Sequence, residues 1–166
     1  MHTKEIIQFA LNVSNEAVLS IIDEMSDAPT TFPTLNGGCH PLWVLGHLTV
    51  IEGDIPDILF GETNPVERWQ QYFANGTEPV ADADTYPSLS EIREKYLQLR
   101  ERNLKLLESL SEEELDGPTR TQPKGLESEF ATYGKSFMTL ALHQISHRSH
   151  LTDARRSAAL AAQAAN

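Results

Sequence analysis

The chain has 166 residues, 40% of them hydrophobic, which suits one globular domain with a sizeable core. Its formal net charge of −11 at pH 7 repels phosphate and anionic lipid, so we expect neither nucleic acid nor a membrane as a partner. The single cysteine, Cys39, excludes an internal disulfide and favours a reducing, cytoplasmic location.

The first predicted helix covers about residues 3–25. Its core-facing residues alternate four and three apart, which is the spacing of a helix that packs one face into a bundle. They are Ile7, Leu11, Ser14, Val18, Ile21 and Met25. Residues 26–40 contain prolines and glycines that break this pattern, and they predict a loop.

The second predicted helix begins at Pro41, because proline suits the first helical position, and Gly61 ends it. His47 lies in its apolar face. Gly53 and Pro56 interrupt the apolar pattern, so we expect a kink or an early end there.

A long connection, residues 62–88, follows and contains a short predicted helical turn at 66–73. The third predicted helix begins at Ser88, where Ser88 and Glu91 have the spacing of a capping box. Its predicted buried face contains Ile92, Tyr96, Leu99, Asn103, Leu106 and Leu110. Residues 116–131 predict another loop.

The fourth predicted helix runs from residue 133 to about 159 or beyond. Its predicted buried face contains Ser136, Leu140, His143, His147, His150 and Ala154. The Ala-rich end favours helix but offers little to bury, so we expect it to fray or to pack on a neighbour. We therefore predict a single domain at 1–160 and a tail at 161–166.

Four amphipathic helices predict an all-α fold, a four-helix bundle. The connection between the second and third helices is long enough to cross the whole bundle. These two helices can therefore run parallel, which gives an up-down-down-up order.

His143 and His147 lie four residues apart on one helix face, where a bundle normally has leucine or isoleucine. A buried imidazole needs a hydrogen bond, solvent or a metal ion, and two such imidazoles can reach one ion. A distant histidine such as His47 can complete a three-nitrogen site. His150 is a weaker third candidate on the same helix. For any single histidine, a side chain that is hydrogen-bonded or half-exposed is the simpler interpretation.

Other interpretations of these motifs carry less weight. A zinc protease would need glutamate where Gln144 stands, and an amide cannot act as general base. Cys39 beside His40 suggests a cysteine nucleophile, but a small residue in a loop explains it as well, and we expect His40 and His2 to be exposed. Trp43 lies one turn before His47, so it either packs in the core or lines a pocket over a metal.

Two segments resemble the DinB-like (DinB/YfiT) superfamily. HPLWVLGHLTVIEGDIPDILFG, residues 40–61, resembles its second helix, in which tryptophan precedes a metal histidine by four residues. LHQISHRSHL, residues 142–151, resembles the HxxxHR-x-Gln segment of its fourth helix. The resemblance implies an up-down-down-up bundle and a divalent metal, zinc or nickel, held by His47, His143 and His147.

The chain departs from the family pattern at Ser149 and His150, where relatives often have glycine and glutamine. His150 is therefore a candidate additional ligand, a candidate hydrogen-bond partner of a ligand, or an acid–base group, and Asp54 is a more distant candidate base. Characterised relatives include S-transferases and isomerases that use bacillithiol or mycothiol.

The resemblance implies a metal-dependent enzyme, a thiol-dependent S-transferase or a hydrolase, that activates a thiol or water to attack a small electrophile. The expected partners are a small-molecule substrate and, through exposed helix faces, a second copy of the chain. The alternative is a non-catalytic bundle with a structural metal, or a stress-linked binding protein.

Overall fold

The computed structural model describes residues 2–25, 30–32, 34 and 38–164, and this part of the chain is helical. Its α-helices are α1 (Thr3–Glu24), α2 (Pro41–Phe60), α3 (Gln70–Phe73), α4 (Leu89–Ser109) and α5 (Tyr133–Ala164). No β-strand occurs in these described ranges. The predicted all-α class and its four long helices are confirmed. Much of the loop predicted at 26–40 lies outside the described residues.

Several predicted boundaries of these helices are confirmed. Pro41 begins α2, and Gly61 follows its last residue with a left-handed φ of 74°, a conformation that favours glycine. The Ser88 side chain accepts a hydrogen bond of 3.2 Å from the backbone N–H of Glu91 at the start of α4. The short turn predicted within the connection is the 3₁₀ helix Glu67–Trp69 followed directly by α3.

Of the kink or early end predicted at Gly53 and Pro56, the early end is wrong, because α2 continues to Phe60, and the kink stays a prediction. Proline has no N–H, so Pro56 leaves the carbonyl of Glu52 without its helical donor. The side chain of Asn103 on α4 donates to that carbonyl at 2.9 Å. A contact from another helix therefore replaces the hydrogen bond that proline removes.

The apolar core consists of two clusters with a polar layer between them. One cluster contains the C-terminal halves of α1 and α5 and the N-terminal halves of α2 and α4, and the other contains the opposite halves. Between these halves each long helix contributes buried polar residues: Ser14, Glu52, Arg100, Asn103 and Gln144. Burying this layer is unfavourable unless its members bond to one another.

The predicted buried face of α5 is confirmed at Ser136, Leu140 and Ala154 but not at the three histidines. Gln144 and Leu151 are fully buried, whereas His143 and His147 are half-buried and His150 is exposed. α5 packs against both α1 and α2, so its most buried face lies between these two helices. The first two histidines therefore lie at the edge of the buried face.

α5 is the longest helix, with 32 residues, and it includes residues 161–164 of the predicted tail. Residues 165 and 166 lie outside the described residues. The division of the chain at residue 160 stays a prediction. None of the described helices combines the length and the apolar character needed to cross a membrane.

Candidate metal centre

Three imidazoles from two helices converge at one point. His47 lies in the middle of α2, and His143 and His147 lie one turn apart on α5. The Nε2 atom of His143 is 3.3 Å from Nε2 of His47 and 3.2 Å from Nε2 of His147. One ring nitrogen from each residue lies within 4.8 Å of the other two. The structure thus brings together the three residues that the resemblance implies as ligands.

His47 is held in one orientation. It is fully buried, and its Nδ1–H donates a hydrogen bond of 2.7 Å to the backbone carbonyl of Phe73 in α3. A carbonyl only accepts, so the proton of the neutral ring is on Nδ1 and the lone pair is on Nε2. That lone pair is on the nitrogen nearest to His143.

Trp43 fixes the ring of His47 from one side. The two rings stack with centroids 5.0 Å apart and planes 7° apart. The indole N–H donates to the carbonyl of Tyr72 at 3.0 Å and to the hydroxyl of Thr77 at 3.1 Å. Trp43 therefore packs in the core against a candidate ligand, and its role in lining a pocket stays a prediction.

The three rings are neutral at neutral pH. Burial lowers the pKa of His47. Burial, followed by the charge of neighbouring histidines, lowers the pKa of His143 to about 4 and that of His147 to about 3. The Nδ1 atoms of these last two are buried and have no hydrogen-bond partner among the described residues. The site therefore offers three neutral imidazole rings and has two polar atoms left unsatisfied.

This donor set fits a divalent cation. At a metal–nitrogen distance of about 2.1 Å, two nitrogens of a tetrahedral site are about 3.4 Å apart. Two of the three separations between ring nitrogens, 3.2 and 3.3 Å, are close to that value, and the third, between His47 and His147, is within 4.8 Å. Neutral imidazole is a common ligand for zinc and for nickel.

His150 lies beside this group but outside it. Its side chain is exposed, and its ring centroid is 5.1 Å from that of His147. Its predicted roles as a ligand, as a hydrogen-bond partner of a ligand or as an acid–base group stay predictions. Asp54 is also outside the group, and its carboxylate accepts a hydrogen bond of 2.6 Å from Asn64.

The prediction that His40 is exposed is wrong, although His2 is exposed as expected. His40 is 3% exposed and caps α2, since its Nδ1 accepts from the backbone N–H of Trp43 at 3.1 Å. Its other nitrogen donates to the carbonyl of Val80 at 3.0 Å. Burial raises the pKa of the neighbouring Cys39 thiol, the opposite of what a nucleophile requires.

The polar layer contains residues whose roles the sequence did not indicate. The carboxylate of Glu52 is fully buried, lies 2.6 Å from the Arg100 guanidinium and accepts a hydrogen bond of 2.7 Å from Asn103. Gln144 donates to the same carboxylate at 2.6 Å and accepts from the Ser14 hydroxyl at 2.7 Å. Burial raises the pKa of Glu52, although the arginine and the two amides oppose this shift.

One signal in the sequence pointed to this layer. Ser14 and Asn103 are polar residues on predicted apolar faces. Gln144 follows His143 directly, so its bonds to α1 and α2 hold the turn of α5 that carries two of the converging imidazoles.

A comparison with curated proteins finds no match for this chain. A family profile described as the DinB superfamily matches residues 10–151. The matched segment covers most of the chain and includes all three converging histidines. The chain therefore belongs to the DinB superfamily.

Proposed function

We propose that His47, His143 and His147 bind one divalent metal ion, zinc or nickel, and that the protein is a metal-dependent enzyme. Its reaction is the attack of a thiol or water on a small electrophile, as in an S-transferase or a hydrolase. The observation that carries this proposal is the convergence of three imidazole rings, one ring nitrogen of each lying within 4.8 Å of the other two. Three neutral ligands leave the charge of a divalent cation uncompensated, so the bound ion lowers the pKa of a thiol or water that it contacts.

The number of protein ligands supports an enzyme over a structural metal site. Structural zinc sites have four protein ligands, whereas catalytic sites have three and an open position. Among the described residues, no fourth histidine, cysteine, aspartate or glutamate joins the three histidines. A thiol or water from solution therefore has a place at this centre.

The protein's own contribution is to orient the ligands. The carbonyl of Phe73 fixes the tautomer of His47, and the stacked indole of Trp43 restricts the rotation of its ring. Gln144 holds α5 against Glu52 of α2, the helix that carries His47. The site is thus organised by contacts that do not depend on the ion.

We also propose the up-down-down-up order for the four long helices. The two core clusters support this order. One cluster combines the C-terminal halves of α1 and α5 with the N-terminal halves of α2 and α4, so the first two helices run opposite to the other two. The substrate class that fits this proposal is a small molecule, and the net charge of −11 disfavours nucleic acid.

The test is metal analysis of the gently purified protein, followed by a screen for thiol transfer and hydrolysis with and without chelator. We expect about one divalent ion per chain and an activity that chelation removes and added metal restores. The variant His143→Ala should lose the metal and the activity but keep its helical circular dichroism. Metal binding without any chelator-sensitive activity would favour a non-catalytic metal-binding protein, and loss of the fold with the metal would favour a structural site.

A further inference from the structure

An apolar cavity of about 390 Å³ lies beside His143, between α2, α5 and the loop that precedes α5. Its walls are formed mainly by the side chains of Ile51, Phe130, Leu140 and Leu142. A cavity of this size and character is typical of sites for small molecules. His143 belongs both to this cavity and to the histidine cluster.

Besides His143, the polar residues that line the cavity are Asn75, Glu129, Thr139 and Ser146. The hydroxyl of Thr139 donates to the backbone carbonyl of Glu129 at 3.1 Å, and that of Ser146 donates to the carbonyl of His143 at 2.6 Å. Glu129 lines the cavity and its side chain is exposed. A hydrogen bond from Ser128 lowers the pKa of Glu129, so this group is negatively charged at neutral pH.

The charge of the wall has one sign. Neither lysine nor arginine is among the described residues that line the cavity, and Glu129 is the one carboxylate. Lys135 lies close enough to Glu129 to influence its ionisation but is not part of the wall. An anionic ligand would lose its hydration here without gaining a cationic partner, whereas a cationic ligand would gain Glu129.

We propose that this cavity binds a hydrophobic organic cation, such as an arylalkylammonium ion, with its apolar part against the leucine side chains and its charge near Glu129. The cavity would then be the substrate pocket of the metal centre. This last point rests on the proposed function, because the shared residue His143 links the two sites. The binding of the cation itself does not require the metal.

The first test compares three probes that carry the same naphthyl group and that coordinate metals poorly. They are (1-naphthylmethyl)trimethylammonium, 1-naphthylmethanol and naphthalene-1-sulfonate. Calorimetric titration of the full chain should show the cation binding about five-fold more tightly than the alcohol, and the sulfonate weakest of all. Equal binding of the three probes, tightest binding of the sulfonate, or no binding of the cation at millimolar concentration would overturn the proposal.

Two matched variants test the location. Ser146 lines the cavity and Ser149 does not, yet both are exposed on α5 and donate to the carbonyl three residues earlier, at 2.6 and 2.7 Å. Ser146→Phe should weaken cation binding at least ten-fold by filling the cavity, while Ser149→Phe should change it less than two-fold. Equal effects of the two variants would place the probe elsewhere.

A third variant tests the charge. Glu129→Gln should weaken binding of the cation about five-fold and leave binding of the alcohol unchanged. Glu127→Gln, on the same loop but not in the cavity wall, should affect neither probe. An unchanged preference for the cation in Glu129→Gln would contradict the assigned position of the charge.

Metal content, measured on the same preparations, separates the two proposals. Cation binding by a protein that takes up no metal would refute the proposed function and leave the cavity assignment intact. Metal uptake by a protein that does not distinguish the three probes would refute the cavity assignment and leave the metal centre intact.

Discussion

The Nδ1–H of His47 donates a hydrogen bond of 2.7 Å to the backbone carbonyl of Phe73, which links α2 to the short helix α3. The ring of Phe73 lies directly against Gly46, where an added Cβ atom would overlap it. Glycine thus permits the close approach of the two helices. The position of the Phe73 carbonyl, which fixes the tautomer of His47, depends on this close packing.

The variant Gly46→Ala should therefore weaken metal binding. Displacing Phe73 moves the acceptor away from His47, and loss of such a partner typically reduces metal affinity about ten-fold or more. Overpacking should also lower the free energy of unfolding by about 1–3 kcal/mol. Competition with a chromophoric chelator measures the affinity, and chemical denaturation measures the stability.

The double variant Gly46→Ala/Phe73→Leu is the control for this prediction. The smaller leucine side chain makes room for the new methyl group, so both affinity and stability should recover in part. A loss of stability in Gly46→Ala with unchanged metal affinity would show that the carbonyl of Phe73 does not support the ligand.

The last two histidines of the row on α5, His147 and His150, should behave differently on substitution. His147 contributes a nitrogen to the converging group, whereas His150 is exposed and lies outside it. His147→Ala should weaken metal binding more than about 100-fold, beyond the usual effect of losing a supporting partner. His150→Ala should stay within about ten-fold of the unchanged protein. A larger loss of metal affinity in His150→Ala than in His147→Ala would make His150 the third ligand.

The stability of the metal-free protein should depend on the two half-buried histidines. Their pKa values in the folded chain lie near 4 for His143 and 3 for His147, below the ordinary value of 6.5. Between pH 6.5 and about 4 the unfolded chain therefore binds more protons than the folded chain. The free energy of unfolding should fall as the pH falls through this window, and the effect should be absent above it.

Chemical denaturation of metal-free protein across this pH window tests the effect. His147→Gln removes one of the two groups, so its stability should fall less steeply with decreasing pH. The raised pKa of Glu52 has the opposite effect, because protonation of this carboxyl favours the folded state as the pH falls. Both proteins contain Glu52, so its contribution cancels when their slopes are compared. Identical slopes would mean that the histidine is not desolvated.

The buried pair of Glu52 and Arg100 should show strong coupling. Glu52→Gln leaves a guanidinium that is 4% exposed without its anion, which should lower the free energy of unfolding by about 3–5 kcal/mol. The double variant Glu52→Gln/Arg100→Met removes the unpaired charge and should recover roughly half of that loss. Additive effects in the double-mutant cycle would show that the two side chains do not interact.

The candidate ligands illustrate how much the sequence predicts about the site. The four-residue spacing of His143 and His147 places both on one side of a helix, so the sequence predicts this pair directly. His47 is nearly a hundred residues away from them, and its role came from the resemblance. Phe73 supports the site through a backbone carbonyl, which its side-chain identity does not reveal.

The residue pattern alone predicts the helices and most of their ends, because capping side chains, proline, glycine and the helical period act over a few residues. Packing between the helices selects the most buried face of α5 and supplies the hydrogen-bond partners of Glu52. It also decided that α2 continues through Pro56, where a side chain from α4 supplies the missing hydrogen bond. These outcomes depend on contacts between residues that are distant in the chain, and local spacing does not contain that information.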